Sequence, residues 1–301
     1  MMNQDGIIYE KCEKKSKGKK TASVKAKRIA DKTCSYILLI IVSFIFLFPC
    51  VWLIATAFSK SGNIYSTRYF FSGEFSFNIW RDLFFDTNMY DFPNWFKNSL
   101  IISVASSIIS TILVIATAYT ISFFQFKMKK PLMKITLVLG LFPSFMGMTA
   151  VYIMMTQFGM VDGYKGIIGL VLIYSAGAPM GYLVQKGFFD TIPYSIYEAA
   201  RIDGSSNFRI FRTIVLPLSK PMIVFTGLTS LAWPWSDYIL PSLLLKDKST
   251  YTVAVGLYQL AESDFGRFCA GAVFIAVPIV CLYFLLQKNL VSGLTSGASK
   301  E

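Results

Sequence analysis

The sequence predicts an all-α membrane protein with six transmembrane helices. Two observations carry that prediction and a third orients it. First, 54% of the 301 residues are hydrophobic, only 15% are charged, and the mean hydropathy is +0.53, where a soluble domain carries about a quarter charged residues. Second, the charges are clustered. Tyr36–Phe58, Asn98–Phe126, Ile135–Val161, Gly166–Gln185 and Phe268–Gln287 contain no Asp, Glu, Lys or Arg, and Pro221–Leu245 contains only Asp237. Each run reaches the roughly 20 residues a helix needs to cross the hydrocarbon core. Core helices of a large soluble protein would not recur at this number and length. Third, 21 of the 29 Lys and Arg fall in alternate seams, 1–35, 127–134, 186–220 and 288–301. Positive charge stays on the cytoplasmic side, so both termini are expected in the cytoplasm, in a multi-pass protein of the cell membrane.

Taken in order, residues 1–35 form a basic arm. Its stretch Lys11–Lys32, KCEKKSKGKKTASVKAKRIADK, is expected to be disordered and to lie against anionic headgroups. The net charge of +12 therefore needs no nucleic acid. The first span, 36–58, is too long for a signal-peptide core and no small-residue cleavage site follows it. The seam 59–97 is rich in aromatics (YFFSGEFSFNIWRDLFF), and Trp80 and Trp95 suit the headgroup level. Spans follow at 98–126, 135–161, 166–185, 221–245 and 268–287, the six-span domain ending near residue 290 before a tail, 291–301. Prolines inside the runs, among them Pro143, Pro234 and Pro278, predict kinked helices packed on one another. The small-residue stretches Ser103–Ser110 and Gly177–Gly181 allow close helix contact. Five cysteines, odd in number and placed in the arm or in spans, imply no disulfide framework. With no histidine, His-based catalysis and zinc ligation are excluded. No metal site is expected.

One segment breaks the pattern. YEAARIDGSSNFRIFRTIVLP, Tyr197–Pro217, is compact and mixed in charge, and it sits in a seam placed on the cytoplasmic side. It reads as two short helices. Thr191 offers an N-cap and Pro193 fits the first turn; the first helix runs Tyr194–Asp203 and Gly204 stops it. Ser205 or Ser206 caps the second, Asn207–Leu216, and Pro217 ends it. Ile192, Ile196, Ala199 and Ala200 lie along one side of the first helix. There Ala199 and Ala200 make a nearly flat patch flanked by Glu198 and Arg201. A membrane-surface helix would carry a Lys/Arg-rich face opposite large apolar groups. This one does not, and the pattern favours a knob that docks on a cytoplasmic partner.

These residues resemble the EAA loop of membrane subunits of ABC importers: Glu198-Ala199-Ala200, Gly204 five positions after Ala199, then Ile214, Leu216 and Pro217. SLLLKDKSTYTVAVGL, Ser242–Leu257, and LVSGLTSGASK, Leu290–Lys300, are similar to the second membrane subunit of maltose/maltodextrin-type importers, the MalG-like permeases. The resemblance runs from the first span to the C-terminus and leaves out the arm before residue 33. It implies the type I permease fold of ABC importers, with the loop 188–218 as coupling helices in a cleft of an ATPase. Glu198, Ala199, Ala200, Asp203, Gly204, Ile214, Leu216 and Pro217 are the residues it assigns to coupling. The partners it implies are a second membrane permease subunit, two cytoplasmic ATPase subunits and an extracytoplasmic sugar-binding protein. The chain itself is expected to hold no cofactor and to be no enzyme, ATP and Mg²⁺ being bound by the partner subunits.

The residues agree on the energy source. The nearest approach to a P-loop, KGKKTAS, has Glu13 at the first glycine and a lysine interrupting Gly-Lys-Thr. Asp237 is the one charge within a span, which disfavours a secondary transporter or channel built on buried proton relays. An importer permease for a solute other than sugar stays open.

Two further sets are candidates for contact with substrate and partner. In LAWPWSDYILP, Leu231–Pro241, Trp233, Trp235, Asp237 and Tyr238 join aromatic faces to hydrogen-bonding groups, as a sugar path requires. The same pattern equally fits tryptophans packed on neighbours and an aspartate capping freed backbone. Over the external mouth, the seam Lys246–Arg267 offers Tyr251 and Gln259 to the docked binding protein, as the resemblance suggests.

Overall fold

The computed structural model describes residues 4–60, 75–87, 89–141, 144–176 and 179–298. The chain falls into two compact units, residues 1–55 and 56–301.

The first unit is nearly all of helix α1, Gln4–Ala57. The arm expected to be disordered is thus helical and continuous with the first span. The span supplies a formed nucleus, and adding a residue to an existing helix avoids the cost of starting one. From Tyr36 to Val51 its large apolar side chains are exposed, Phe44 at 70% and Phe46 at 73%. An apolar surface of this size on a helix long enough to cross suits hydrocarbon.

The second unit is organised around α3, Phe92–Phe123, a helix of 32 residues and therefore about 48 Å long. Asp91 caps it by accepting from the Asn94 N–H at 3.3 Å, and Pro93 fits its first turn. Buried serines 99, 103, 106 and 110 recur at helical spacing along one stripe. Against this stripe lies α11, Lys220–Ser236, close enough that Ser107 donates to the Gly227 carbonyl at 2.7 Å. Helices α6, Gly163–Ala176, and α7, Pro179–Phe189, also pack on α3. Among the described residues four helices are long and apolar enough to cross a membrane, or up to six if each bent pair is one span.

Two bends are sharper than the kinks that the prolines led one to expect. Lys129–Gly140 (α4) and Phe145–Gln157, within α5 (Ser144–Gln157), meet at 103°. Gly140 marks the end of the first limb; Pro143 lies outside the described residues, as do residues 61–74 of the aromatic seam and residues 177 and 178 of the small-residue stretch. The fifth span is also interrupted. It follows an 81° bend at Ser219, runs as α11, breaks at Asp237 and Tyr238, and resumes as α12, Ile239–Leu244.

At the Phe92 end of α3, polar groups pin the loop between the last two spans. The Trp95 indole N–H donates to the Lys248 carbonyl at 3.0 Å, and the Asn98 amide donates to the Ser249 and Tyr251 carbonyls at 3.0 and 3.1 Å. Trp95 is 1% exposed, so its ring anchors the core at this end of α3. The loop leads into α13, Val253–Ser263, and α14, Phe265–Ala298. Arg267 of α14 pairs with Asp86 at 2.8 Å, just past the short helix α2, Asn78–Phe85.

A second fastening lies beside it. Asp162, at φ 65°, donates its N–H to the Leu244 carbonyl at 2.8 Å. Its Oδ1 accepts from the N–H groups of Gly163 at 2.9 Å, Lys246 at 3.1 Å and Asp247 at 2.9 Å. These donors, that of Asp247 first, hold the carboxyl below its ordinary pKa of 3.8. A depressed carboxylate pKa gives stability that is present above the unfolded value and lost as pH falls through the folded one. The clasp should therefore persist down to about pH 4 and loosen below it. Amide exchange at Lys246 and Asp247 should be slow in the native chain at pH 7 and fast in Asp162→Ala. Equal protection in the two would refute the clasp.

Candidate functional site

The mixed-charge segment forms a helix–turn–helix at the Phe123 end of α3. Its first helix, α8, spans Tyr194–Ile202 with Pro193, not Thr191, at the N-cap. Thr191 instead donates its hydroxyl to the Phe188 carbonyl at 2.7 Å. The helix stops at Asp203, and Gly204 follows at φ 78°. The Gly204 N–H reaches the Arg201 carbonyl at 3.1 Å and the Ser205 N–H the Ala200 carbonyl at 3.0 Å, the paired bonds of a Schellman stop. Ser206 then caps the second helix, accepting from the Arg209 N–H at 3.3 Å.

That second helix is not the plain helix expected. It runs as α9, Asn207–Ile210, widens into a π turn, Phe211–Val215, and tightens again as α10, Leu216–Leu218. Pro217 sits inside the last turn and does not end it. A proline has no N–H and its ring crowds the carbonyl four residues back. The π turn just before it gives the ring room.

The segment has a seat and a face. Tyr197 and Ala200 of α8, with Ile210 and Val215 beyond the turn, bury themselves against Tyr119, Phe123 and Phe189; Ile192, Ile214 and Leu216 pack beside them. Glu198, Ala199, Asp203, Gly204 and Pro217 are exposed. The flat Ala199–Ala200 patch is thus divided, because adjacent residues on a helix point about 100° apart. Ala199 faces outward and Ala200 lets α8 settle on α3. Ile202 and Phe208, which the sequence reading passed over, are 86% and 70% exposed and add apolar surface to the outward face. Their signal was available: two large apolar residues standing apart from the buried stripe.

Asn207 ties the parts together. Its side-chain oxygen accepts from the Tyr197 hydroxyl at 2.9 Å and from Arg201 Nη1 at 2.8 Å, and its backbone carbonyl accepts from the Tyr119 hydroxyl at 2.9 Å. Arg201 is therefore held within the segment. A cleft of about 570 Å³ opens between α8 and the end of α3, lined among others by Phe124, Gln125, Tyr194 and Glu198.

The other candidates separate in the structure. Trp235 is 4% exposed, donates to the Ile275 carbonyl at 3.1 Å and meets Phe96 edge to face; it is a packing residue. Trp233, two positions away, is 65% exposed. Asp237 accepts from the Tyr174 hydroxyl at 2.7 Å and from the Ile239 N–H at 3.0 Å, so it caps the restart of the fifth span. Tyr238 stacks on Tyr258 at 4.5 Å between ring centroids. Tyr251 is half-buried, its ring 6.5 Å from that of Trp95. Gln259 is half-buried on α13, whose exposed groups include Tyr258 and Glu262. Among the described residues no cluster of three metal-ligating side chains occurs.

Fold and site together define a multi-span α-helical membrane protein carrying a rigid, outward-facing helix pair between its fourth and fifth spans. The chain belongs to the family of binding-protein-dependent transport system inner membrane components, whose model matches residues 115–295. It is similar to the maltodextrin transport system permease protein MdxG of Bacillus subtilis (strain 168), 35% identical over 277 residues, which cover 91% of this chain and 98% of that one. It is also similar to the galactooligosaccharides transport system permease protein GanQ of the same organism, at 34% over 284 residues, 93% of this chain and 99% of that one. Among solved structures, the fold matches a chain of a bacterial ABC transporter involved in the import of the acidic polysaccharide alginate. That match has a TM-score of 0.73 at 20% identity and covers 84% of this chain and 94% of the other.

Proposed function

We propose that this chain is the permease subunit of an ATP-driven oligosaccharide importer, and that the segment 188–218 is where partner ATPase subunits act on it. The observation that carries this reading is the division of α8 into a buried seat and an exposed face. A contact that transmits force needs both: Tyr197 and Ala200 fixed to the bundle, Glu198 and Ala199 open to a partner. ATP and Mg²⁺ belong to those partners, a second permease subunit completes the path, and a binding protein delivers the sugar at the opposite end of α3. The names of the maltodextrin and galactooligosaccharide permeases support a neutral oligosaccharide as cargo. The basic bias of alternate seams supports cytoplasmic termini.

The test is uptake by the reconstituted complex. In proteoliposomes, maltotetraose uptake should require ATP inside the cytoplasmic-side compartment and loaded binding protein on the other side, and should ignore imposed proton or sodium gradients. Uptake driven by an ion gradient without ATP would instead identify a secondary transporter.

A further inference from the structure

The stacked pair Tyr238–Tyr258 was not paired by the sequence, since 20 positions separate the two residues. Tyr238 sits at the break of the fifth span, and Tyr258 reaches it from α13. The rings lie 4.5 Å apart with 30° between their planes, yet Tyr258 remains 50% exposed. A strut joining two helices would be covered; here Tyr258 stays open and Tyr238 is only half-buried.

The neighbouring surface differs in kind from that of α1. On α1 the exposed groups from Leu38 to Ile54 are Leu, Ile, Val and Phe in large majority, as hydrocarbon requires. Beyond Lys220 the exposed groups along α11 are Thr229, Trp233 and Ser236, with both hydroxyls turned back onto carbonyls of their own helix. Ring faces set among hydroxyls suit a solute that is apolar on its ring face and polar at its edge. Glu262 stands one turn beyond Tyr258 and accepts a hydrogen bond from it. The charge of Glu262, followed by that of Tyr238, raises the pKa of the Tyr258 hydroxyl, which keeps the phenol a donor. The Asp237 oxygens are already engaged by Tyr174 and Ile239, which leaves Glu262 as the acceptor with an open side.

We infer that Tyr238 and Tyr258 form a plate on which one pyranose ring of the transported oligosaccharide rests, with Glu262 accepting from a ring hydroxyl. This deepens the oligosaccharide-importer reading and rests on it. The plate bridges the break of the fifth span and α13, which follows it in the chain, so a sugar leaving the binding protein meets it early in its passage.

The experiment uses the reconstituted complex with saturating binding protein and radiolabelled maltotetraose. Tyr258→Leu, which keeps bulk and removes the ring face, should lower uptake at least fivefold while ATP hydrolysis stimulated by the binding protein stays within twofold of the native complex. Tyr258→Trp should restore uptake to within twofold. Native uptake by Tyr258→Leu would overturn the plate. So would a parallel fall in stimulated hydrolysis, which would make the pair a strut. If the native complex itself shows no ATP-dependent uptake of maltotetraose or a galactotetraose, the importer reading fails, and the plate with it.

Discussion

Glu198→Lys should abolish uptake while leaving the chain folded and inserted. Glu198 is exposed on α8 and takes no part in the buried seat of Tyr197, Ala200, Ile210 and Val215. The substitution therefore costs the fold little. Its effect falls on the partner, where a carboxylate becomes an ammonium facing the basic group that the family pattern leads one to expect. An unpaired or opposed charge in a partly buried interface costs about 3 kcal/mol, or roughly a hundredfold in affinity. Co-purification of the ATPase subunit should fall accordingly, with the melting temperature of the isolated chain unchanged. Gly204→Val should do comparable harm by another route. At φ 78° a β-branched residue is strained, and the Schellman stop that aims the second helix would be lost. A Glu198→Lys chain that transports normally and retains its ATPase would show that α8 is only a surface helix.

The other large effect is expected at the far end of α3. A Cβ built on Gly256 would lie 2.0 Å from Trp95 Cε3. The ring cannot withdraw, because Trp95 is 1% exposed and its N–H is committed to Lys248. Overpacking of a filled core costs about 1–3 kcal/mol and occasionally more. Here it would also dislodge the loop that Asn98 holds. Gly256→Ala should lower the melting temperature clearly, and Gly256→Leu should expose residues 246–263 to protease in detergent. A native melting curve for Gly256→Leu would mean that α13 does not rest on Trp95.

The apolar runs were legible because a membrane-crossing helix must satisfy its backbone internally and show hydrocarbon a long apolar surface. Among the described residues each run is mostly helical, with breaks such as the one at Asp237 and Tyr238. The breaks were less legible. Ile135–Val161 reads as one charge-free run, and hydropathy says nothing of the 103° bend inside it. In the coupling segment, Gly204 announced its own conformation, because few other residues hold positive φ. Pro217 misled, since a π turn accommodates what an α-helix would not. Ala200 also misled. Small residues permit close approach from either side, and only the position of α3 decides that Ala200 faces inward. Tyr251 and Trp95 were assigned to the surface by their polar tips, but each tip lies over a carbonyl of the loop 246–251. Sequence shows that such a residue needs a partner atom, not where that atom is.

Asn207 joins the helix pair to Tyr119, and α3 then runs 32 residues with its one proline in the first turn. In mechanical terms α3 is a connecting rod. It has no bend along its length, while the limbs α4 and α5 meet at 103° and the fifth span breaks at Asp237 and Tyr238. A displacement applied to the helix pair can be delivered along α3 to Trp95 and the loop beyond it with no bend on the way. The helix pair and the Trp95 loop, about 48 Å apart along α3, are thereby linked by a single element.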